Sequence, residues 1–247
     1  MFDEHSELRY LLERISVKPF KGSKNRTLLV FLGLLGDLDS FEYVQRLRPF
    51  IPTLDNSRIN VHIIGIGNNR SKDKFCSFTK LEKNYLEVIE DVELYSKLDL
   101  CKGLNLKLGG VIDLILMCIG ISSPGTLREV LRGYTGDRRS DQIFKYDENI
   151  YTGILPSFKG VLFDNACGEG FLRPFELATL RLGNMVEVLT NWDIYMLNNQ
   201  LLTQRGATYL IGKDDKLIYS YKAKSLLAYS ESMSQPLAFL DKYLDES

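Results

Sequence analysis

Two hydrophobic strand patterns joined by one helix pattern constrain the fold of this chain most. Thr27–Gly33 and Ile59–Gly67 are nearly continuous runs of apolar residues, as expected for strands that are buried on both faces. The residues between them predict a helix that opens near Asp37 or Asp39. Its apolar side is formed by Phe41, Val44, Leu47 and Phe50. A strand, a helix and a second strand of this kind predict a right-handed crossover in a parallel sheet.

The end of the chain predicts a different kind of strand pairing. Thr208–Ile211 and Leu217–Tyr221 have strand patterns, and the charged residues 213–216 between them predict a hairpin turn. A last helix is expected over residues 235–244, with Pro236 in its first turn. A parallel unit followed by an antiparallel hairpin and a helix is the element order of thioredoxin-like folds. We therefore predict an α/β protein with a central mixed sheet and flanking helices.

The remaining elements fit one predicted domain that spans residues 1–247. An amphipathic helix is expected over residues 3–16, a third strand at Leu86–Ile89 and a long helix over Phe171–Asn198. Residues 101–170 lack a sustained apolar period, so they predict a large helical and irregular excursion from the common fold.

Charge and hydropathy exclude some partners. The formal net charge of −1 gives no overall attraction to nucleic acid, so no nucleic-acid partner is expected. Lys18–Arg26 and Arg128–Arg139 are basic, which we interpret as solvated surface, with a phosphate or membrane-headgroup site as the alternative. Leu114–Ile121 is too short to span a membrane and is expected in the core, with docking on a membrane surface as the alternative.

The four cysteines are widely scattered along the chain and form no CxxC pair. This spacing argues against a zinc site and against a disulfide framework, so a reducing compartment such as the cytoplasm is expected. We predict neither a cofactor nor a metal. The cysteines are Cys76, Cys101, Cys118 and Cys167.

The turn after the first strand is the candidate site. In an α/β protein such a turn commonly carries chemistry, and the helix N-terminus beside it can lower the pKa of a thiol. This turn contains Asp37, Asp39 and Ser40 and no cysteine. We interpret Asp37 or Asp39 as a cap of the helix. Binding of a divalent cation by these carboxylates and Glu42 is the alternative.

With this element order, the chain resembles the peroxiredoxin-like branch of the thioredoxin superfamily, the alkyl hydroperoxide reductase/thiol-specific antioxidant-like proteins. Several members carry Gly-Cys-x-x-Cys after the first strand and a glutamate on the helix. In this sequence Gly36 matches the glycine, Asp37 and Ser40 match the two cysteines, and Glu42 matches the glutamate. PFELATLRL, QRGATYLIG and SQPLAFL further resemble a subgroup found in photosynthetic organisms. That likeness implies the plastid stroma, or the periphery of the thylakoid membrane, as alternatives to the cytoplasm.

The sequence departs from the family where the chemistry is placed. A carboxylate or a serine hydroxyl cannot attack a peroxide and become a sulfenic acid, as a thiolate does. Arg205-Gly206-Ala207 also stands where the fold usually has a cis-proline. We therefore expect no catalytic residue at the degenerate positions Asp37 and Ser40. If a relocated thiol has taken over, Cys76 is the first candidate.

Three functional hypotheses follow. The first is a pseudoenzyme: a binding, assembly or regulatory subunit that presents residues 101–170 to a protein partner, for which the resemblance suggests a complex of the photosynthetic membrane. The second is an antioxidant oxidoreductase that uses Cys76 for redox chemistry. The third is an anion- or nucleotide-binding protein that uses the helix N-terminus near Gly36.

Overall fold

A computed structural model describes residues 25–90, 92–106, 109–213 and 216–244. The helix predicted over residues 3–16 lies outside the described residues, and so does the middle of the predicted turn at 213–216.

Five strands form one mixed sheet, which confirms the predicted α/β, thioredoxin-like fold. Their order across the sheet is β3-β2-β1-β6-β7. The first three strands are parallel, whereas β6 runs antiparallel to β1 and β7 antiparallel to β6. A short β4–β5 ribbon lies apart from this sheet. The strands are β1 Arg26–Leu34, β2 Ile59–Ile66, β3 Leu86–Ile89, β4 Asn149–Ile150, β5 Phe158–Lys159, β6 Ala207–Ile211 and β7 Leu217–Lys222.

Ten α-helices connect and cover these strands in the described part of the chain. Short 3-10 turns extend several of them, for example at Arg48–Phe50 and Ala238–Leu240. The helices are α1 Leu38–Leu47, α2 Ile51–Asn56, α3 Asn69–Thr79, α4 Glu93–Lys97, α5 Gly110–Cys118, α6 Thr126–Thr135, α7 Val161–Cys167, α8 Glu176–Thr190, α9 Trp192–Tyr195 and α10 Asp241–Leu244.

Successive side chains of a strand point to opposite faces of the sheet, so β1 contributes to an apolar cluster on each face. On one face, Leu28 and Val30 of β1 join a cluster with side chains from α1, α2 and α3. On the other face, Leu29 and Phe31 join a cluster with side chains from α4 and β6. This two-sided burial explains the nearly continuous apolar sequence of β1.

Two predicted helices have different bounds in the structure. The pattern over residues 171–198 contains α8 and α9, because Phe175 has a left-handed backbone before α8 and Asn191 leaves the helical region after it. The pattern over residues 235–244 becomes a 3-10 turn followed by the short α10. The prediction that Phe50 lies on the apolar side of α1 is also wrong. Because Pro49 has no N–H, α1 ends at Leu47 and a 3-10 turn follows, in which Phe50 is 36% exposed.

The segment predicted as an excursion contains α5, α6, α7 and the small β4–β5 ribbon. Its C-terminal part is tied to α8 by the buried pair of Arg173 and Glu176. Glu176 also accepts the backbone N–H groups of Ile143 and Phe144, each at 2.7 Å. A buried ion pair therefore holds this part of the chain against α8.

The apolar run at residues 114–121 corrects the expectation of a core segment. Met117 is buried against residues 226 and 227, but Ile115 is 57% exposed and Ile119 is 60% exposed. α5 thus buries one side and leaves the other uncovered. Among the described residues, no helix has the combined length and hydropathy that crossing a bilayer requires.

Candidate functional site

The turn after β1 places the predicted site residues at the start of α1. The N–H of Asp37 donates to the Leu34 carbonyl at 2.8 Å, which closes the turn. The Ser40 hydroxyl donates to the same carbonyl at 3.1 Å. Asp37 precedes the first helical residue, Leu38, so the helix opens where the sequence predicts it.

Asp37 is the N-cap residue of this helix, which confirms the predicted position of the cap but not a capping hydrogen bond from its side chain. Asp37 has the extended backbone of an N-cap residue, with φ −80° and ψ 140°, but its side chain makes no capping hydrogen bond in the described structure. The side chains of Asp37 and Asp39 both turn toward a buried arginine from the other end of the chain.

Arg205 is that partner, and it is fully buried two residues before the start of β6. Its Nη1 lies 2.9 Å from Asp39 Oδ2 and 3.3 Å from Asp37 Oδ2. Its remaining donors reach backbone carbonyls, Nε that of Thr203 at 2.8 Å and Nη2 that of Leu202 at 2.6 Å. One guanidinium therefore neutralises part of the charge of two carboxylates and also fixes the loop that leads into β6.

The two carboxylates differ in how completely they are satisfied. Asp39 also accepts the backbone N–H of Leu227, at 2.8 Å to Oδ1. Asp37 Oδ1 is buried and has no hydrogen-bond partner among the described residues. A cavity of about 20 Å³ lined by Gly33, Asp37 and Ser40 adjoins it. A cavity of this size can hold one water molecule, which would donate to that oxygen.

Burial raises the pKa of both carboxyl groups. For Asp37, burial raises the pKa and the opposing effect of Arg205 does not cancel it. For Asp39, burial together with the charge of Asp37 raises the pKa to about 7, against the lowering effect of Arg205. If both carboxyl groups were ionised, the single guanidinium would leave one buried negative charge uncompensated. The pair of carboxyl groups therefore retains a proton near neutral pH.

Glu42 forms a second buried ion pair one turn further along α1. Its carboxylate accepts Arg181 Nε at 2.7 Å and the Tyr229 hydroxyl at 3.1 Å. Burial alone would raise the pKa of Glu42, but the guanidinium of Arg181 outweighs it and leaves the pKa below its ordinary value. The position that matches the family's helix glutamate is therefore an ionised structural group.

The helix N-terminus itself is covered. A Cβ atom on Gly36 would lie 2.4 Å from Met196 Cε and 2.8 Å from Tyr195 Cβ, so glycine permits this close contact. Asp37 is only 3% exposed and Ser40 is also buried. Side chains thus fill the space in which an anion or nucleotide would meet the N-terminus of α1. The described residues also contain no group of three or more His, Cys, Asp or Glu side chains that could hold a metal ion.

Cys76 lies on the inner side of α3, in the apolar cluster that contains Phe41 and Phe75. It is 3% exposed, and burial raises the pKa of its thiol against smaller lowering effects of Lys72 and Lys83. A covered, protonated thiol is a poor nucleophile. The structure therefore places the candidate relocated cysteine within the core.

The other three cysteines are free and separate from one another. Cys101 is partly exposed beside the loop that carries Arg205, since its carbonyl accepts the N–H of Arg205 at 2.8 Å. Cys118, predicted as a core residue, is only partly buried at the end of α5. Cys167 is exposed at the end of α7.

Sequence reasoning missed the two arginines that define this site. The sequence shows Arg205 only as a residue that stands in place of the usual proline, and Arg181 only as part of a predicted helix. Their partners on α1 are separated from them by 166 residues for Asp39 and 139 for Glu42. The one available signal is an arginine directly before the apolar strand β6, where a solvated charge is unexpected.

A family model described as AhpC/TSA antioxidant enzyme matches residues 46–225. The matched range begins near the end of α1 and ends after β7, so it includes Cys76 and Arg205 and leaves Asp37 and Ser40 outside. No curated protein and no solved structure matches the chain.

Proposed function

The chain belongs to the AhpC/TSA antioxidant enzyme family, and from this membership we propose that it is a thioredoxin-fold, peroxiredoxin-like protein whose peroxidatic cysteine has been replaced. In this proposal the protein is a non-catalytic binding, assembly or regulatory subunit. Its 247 residues form a single thioredoxin-like domain that presents the segment 101–170 to a protein partner.

The observation that carries the proposal is the buried ion cluster of Asp37, Asp39 and Arg205. Where the resemblance expects an accessible thiolate, the chain has a carboxylate that is 3% exposed and paired with a guanidinium. A carboxylate cannot accept oxygen from a peroxide, and a buried group offers the peroxide no access. The buried carboxylate of Asp37 therefore supports a structural role for this turn.

The surface of the 101–170 segment supports a binding role. Most large apolar side chains that remain exposed in the described structure belong to it, including Ile115, Ile119 and Leu131. Extended apolar surface on a monomer commonly marks an interaction site. The helix α5 and the turn that follows it, residues 110–121, contribute five of these exposed side chains, and we propose them as the contact with the partner.

The subgroup of photosynthetic organisms supplies the finer proposal. The likeness of PFELATLRL, QRGATYLIG and SQPLAFL to that subgroup supports a partner complex in the photosynthetic membrane, with the protein in the cytoplasm or plastid stroma and at the periphery of the thylakoid. A thiol-dependent antioxidant activity through Cys76 is the competing function.

Oxidation kinetics of the four cysteines separate these two functions. The full chain is mixed with hydrogen peroxide, and sulfenic acid at each cysteine is quantified over time by mass spectrometry. We expect no site to react faster than free cysteine, and we expect replacement of each cysteine by serine to leave partner binding unchanged. Fast stoichiometric oxidation at Cys76, abolished in Cys76→Ser, would establish the enzyme and overturn the scaffold.

A further inference from the structure

A second feature of the molecule lies away from the buried ion cluster. An open cleft of about 820 Å³ runs between α6 and the segment 228–234. An adjoining cavity of about 480 Å³ shares Arg139, Ser232 and Ser234 with it. We call the two together the arginine cleft. Arg128 and Arg132 line it from α6, and Arg138 and Arg139 line it from the loop that follows.

Arg132 presents a buried donor without an acceptor. Its Nε donates to Glu129 Oε2 at 2.7 Å, which holds the guanidinium in place. Its Nη1 has no hydrogen-bond partner among the described residues, and the carboxylate of Asp137 lies 3.8 Å away, too far for a hydrogen bond. Arg132 is only 8% exposed. Because buried donors are nearly always satisfied by protein or by ordered water, this one is available to an acceptor from outside the described chain.

Ser140 provides an independent observation in the adjoining cavity. It is 2% exposed and lines that cavity, and its Oγ also has no partner within the described chain. Its backbone groups are engaged, since its N–H donates to the carbonyl of Asp137 and its carbonyl accepts the N–H of Leu172. Two residues that line one continuous cleft therefore each carry a buried polar atom without a partner within the described chain.

The acidic residues of the cleft are already occupied by internal partners. Glu129 accepts from Arg132. Asp137 accepts the backbone N–H of Arg139 at 3.0 Å, Nε of the same residue at 3.3 Å, and the Ser234 hydroxyl. In contrast, Arg128 and Arg138 make no ion pair with any described residue, and the Arg138 guanidinium lies 5.1 Å from the centroid of the Phe171 ring. Asp141 and Glu231 also line the cleft, so its formal charges balance. Its buried polar atoms without a partner within the described chain, Arg132 Nη1 and Ser140 Oγ, can both donate.

We propose that the arginine cleft binds the phosphate group of an amphipathic phosphate ester. Guanidinium and hydroxyl donors from several side chains suit the three terminal oxygens of a phosphate better than the two of a carboxylate. The apolar part of the ester lies on Leu127, Leu131 and Met233, which line the same cleft. The source of the phosphate is either a lipid headgroup or a water-soluble ester.

This proposal does not rest on the proposed function. The cleft shares no residue with the cluster of Asp37, Asp39 and Arg205, so an active thiol in this protein would leave the cleft unaffected.

Calorimetric titration of the full chain with three probes tests whether the arginine cleft binds an amphipathic phosphate ester. Dihexanoyl phosphatidic acid below its micelle concentration carries both parts of the ligand, dihexanoylglycerol lacks the phosphate, and inorganic phosphate lacks the apolar part. We expect the phosphatidic acid to bind at least tenfold more tightly than either of the others. Dihexanoylglycerol that binds as tightly as the phosphatidic acid would overturn the proposal.

Variants of the exposed arginines locate the site. Arg128→Gln and Arg138→Gln are each expected to weaken binding of the phosphatidic acid about tenfold, the usual effect of losing one hydrogen bond to a charged group. Arg48→Gln, at an exposed position in the 3-10 turn after α1 and outside the cleft lining, is the matched control and should change nothing. Equal affinity of Arg128→Gln, Arg138→Gln and the unaltered chain would overturn the proposal.

Ser140→Ala separates ligand binding from folding. The hydroxyl has no partner within the described chain, so its removal should leave thermal stability unchanged or slightly higher while it weakens binding. A loss of stability with unchanged affinity would contradict the proposed role. Phosphatidylcholine vesicles with and without phosphatidic acid then identify the source, because co-sedimentation only with the acidic vesicles indicates a lipid headgroup and no co-sedimentation indicates a soluble ester.

Discussion

Arg205 is the residue on which the buried charges near β1 depend. It replaces the neutral residue expected before β6 and lies within ion-pair distance of both Asp37 and Asp39. Removing one partner from a buried ion pair is costly because the charge that remains is neither solvated nor paired. The arginine, not the apolar core around it, therefore makes an acidic turn compatible with burial.

Replacing Arg205 by methionine is expected to destabilise the protein strongly at pH 8. The loss of unfolding free energy should be about 3–5 kcal/mol, the usual cost of breaking a buried pair. Urea denaturation followed by circular dichroism measures it. Arg48→Met, at an exposed position, should change the free energy by no more than about 0.5 kcal/mol. Equal stability of the two variants would show that Arg205 does not compensate the carboxylates.

Asp39 should make stability fall as pH rises toward neutrality. Its pKa is about 7 in the folded chain and about 4 when unfolded, so between these values only the folded state keeps the proton. The stabilisation of the folded state by this proton is complete below pH 4 and is lost as pH rises to about 7. Over that range the unfolding free energy falls by at most about 1.4 kcal/mol per pH unit.

The variant Asp39→Asn isolates this contribution because it keeps an acceptor for Leu227 and cannot ionise. The unfolding free energy of the variant minus that of the unaltered chain should increase from pH 4 to pH 7 and level off above pH 8. Urea unfolding of both proteins at intervals of one pH unit measures this difference in free energy. A difference that stays constant across this range would show that Asp39 is ionised throughout.

At the scale of elements, the sequence predicts the central sheet well and the surface helices less well. β1 and β2 are buried on both faces, so their apolar runs have one explanation, and β3 was predicted at its observed bounds, Leu86–Ile89. The prediction of one long helix over residues 171–198 is wrong at Phe175 and Asn191, where the backbone leaves the helical conformation although the sequence pattern stays helical. Such interruptions depend on tertiary packing and leave no trace in periodicity.

α5 shows why an apolar run does not identify the core by itself. Its sequence GVIDLILMC has apolar residues on all sides, so periodicity cannot tell which side another element covers. In the structure, Met117 faces the segment 226–227 and Ile115 faces outward. Which side is buried was therefore decided by a segment more than a hundred residues away.

Two substitutions on α5 should separate its two sides. Met117→Ala removes a buried side chain and should cost about 2–5 kcal/mol of unfolding free energy. Ile115→Ser alters an exposed position and should change it by about 0.5 kcal/mol or less. Chemical denaturation of the two variants provides the comparison. A large loss for Ile115→Ser would mean that the outer side of α5 is covered in solution, for example by another copy.

At the scale of the whole molecule, the candidate site is assembled from distant parts of the chain. Asp37 and Asp39 come from the first crossover, Arg205 from the loop that leads into β6 and Leu227 from the loop after β7. The sequence predicts each of these elements separately but contains no signal for their pairing. The location of the turn was predictable, whereas its closure by an arginine was not.

Restoring thiols at the turn should not restore a peroxidase. In Asp37→Cys combined with Ser40→Cys, both sulfurs would occupy nearly fully buried positions, since Asp37 is 3% exposed and Ser40 is 1% exposed. Competition kinetics with hydrogen peroxide should give a rate no higher than that of free cysteine. The unaltered chain is the control for its other cysteines. A rate well above that of free cysteine would mean that the turn is open enough to admit peroxide.

The hydrogen bond from the Leu227 N–H to Asp39 also bears on how the protein is made. The first crossover leaves the ribosome long before Arg205 and Leu227 are synthesised, so Asp37 and Asp39 remain hydrated carboxylates during that time. Throughout this interval, the edge of β1 that will receive β6 is unpaired. Two negative charges at the end of an open strand discourage association with other nascent chains. We therefore expect the carboxylates that are neutralised in the finished fold to oppose such association until Arg205 is synthesised.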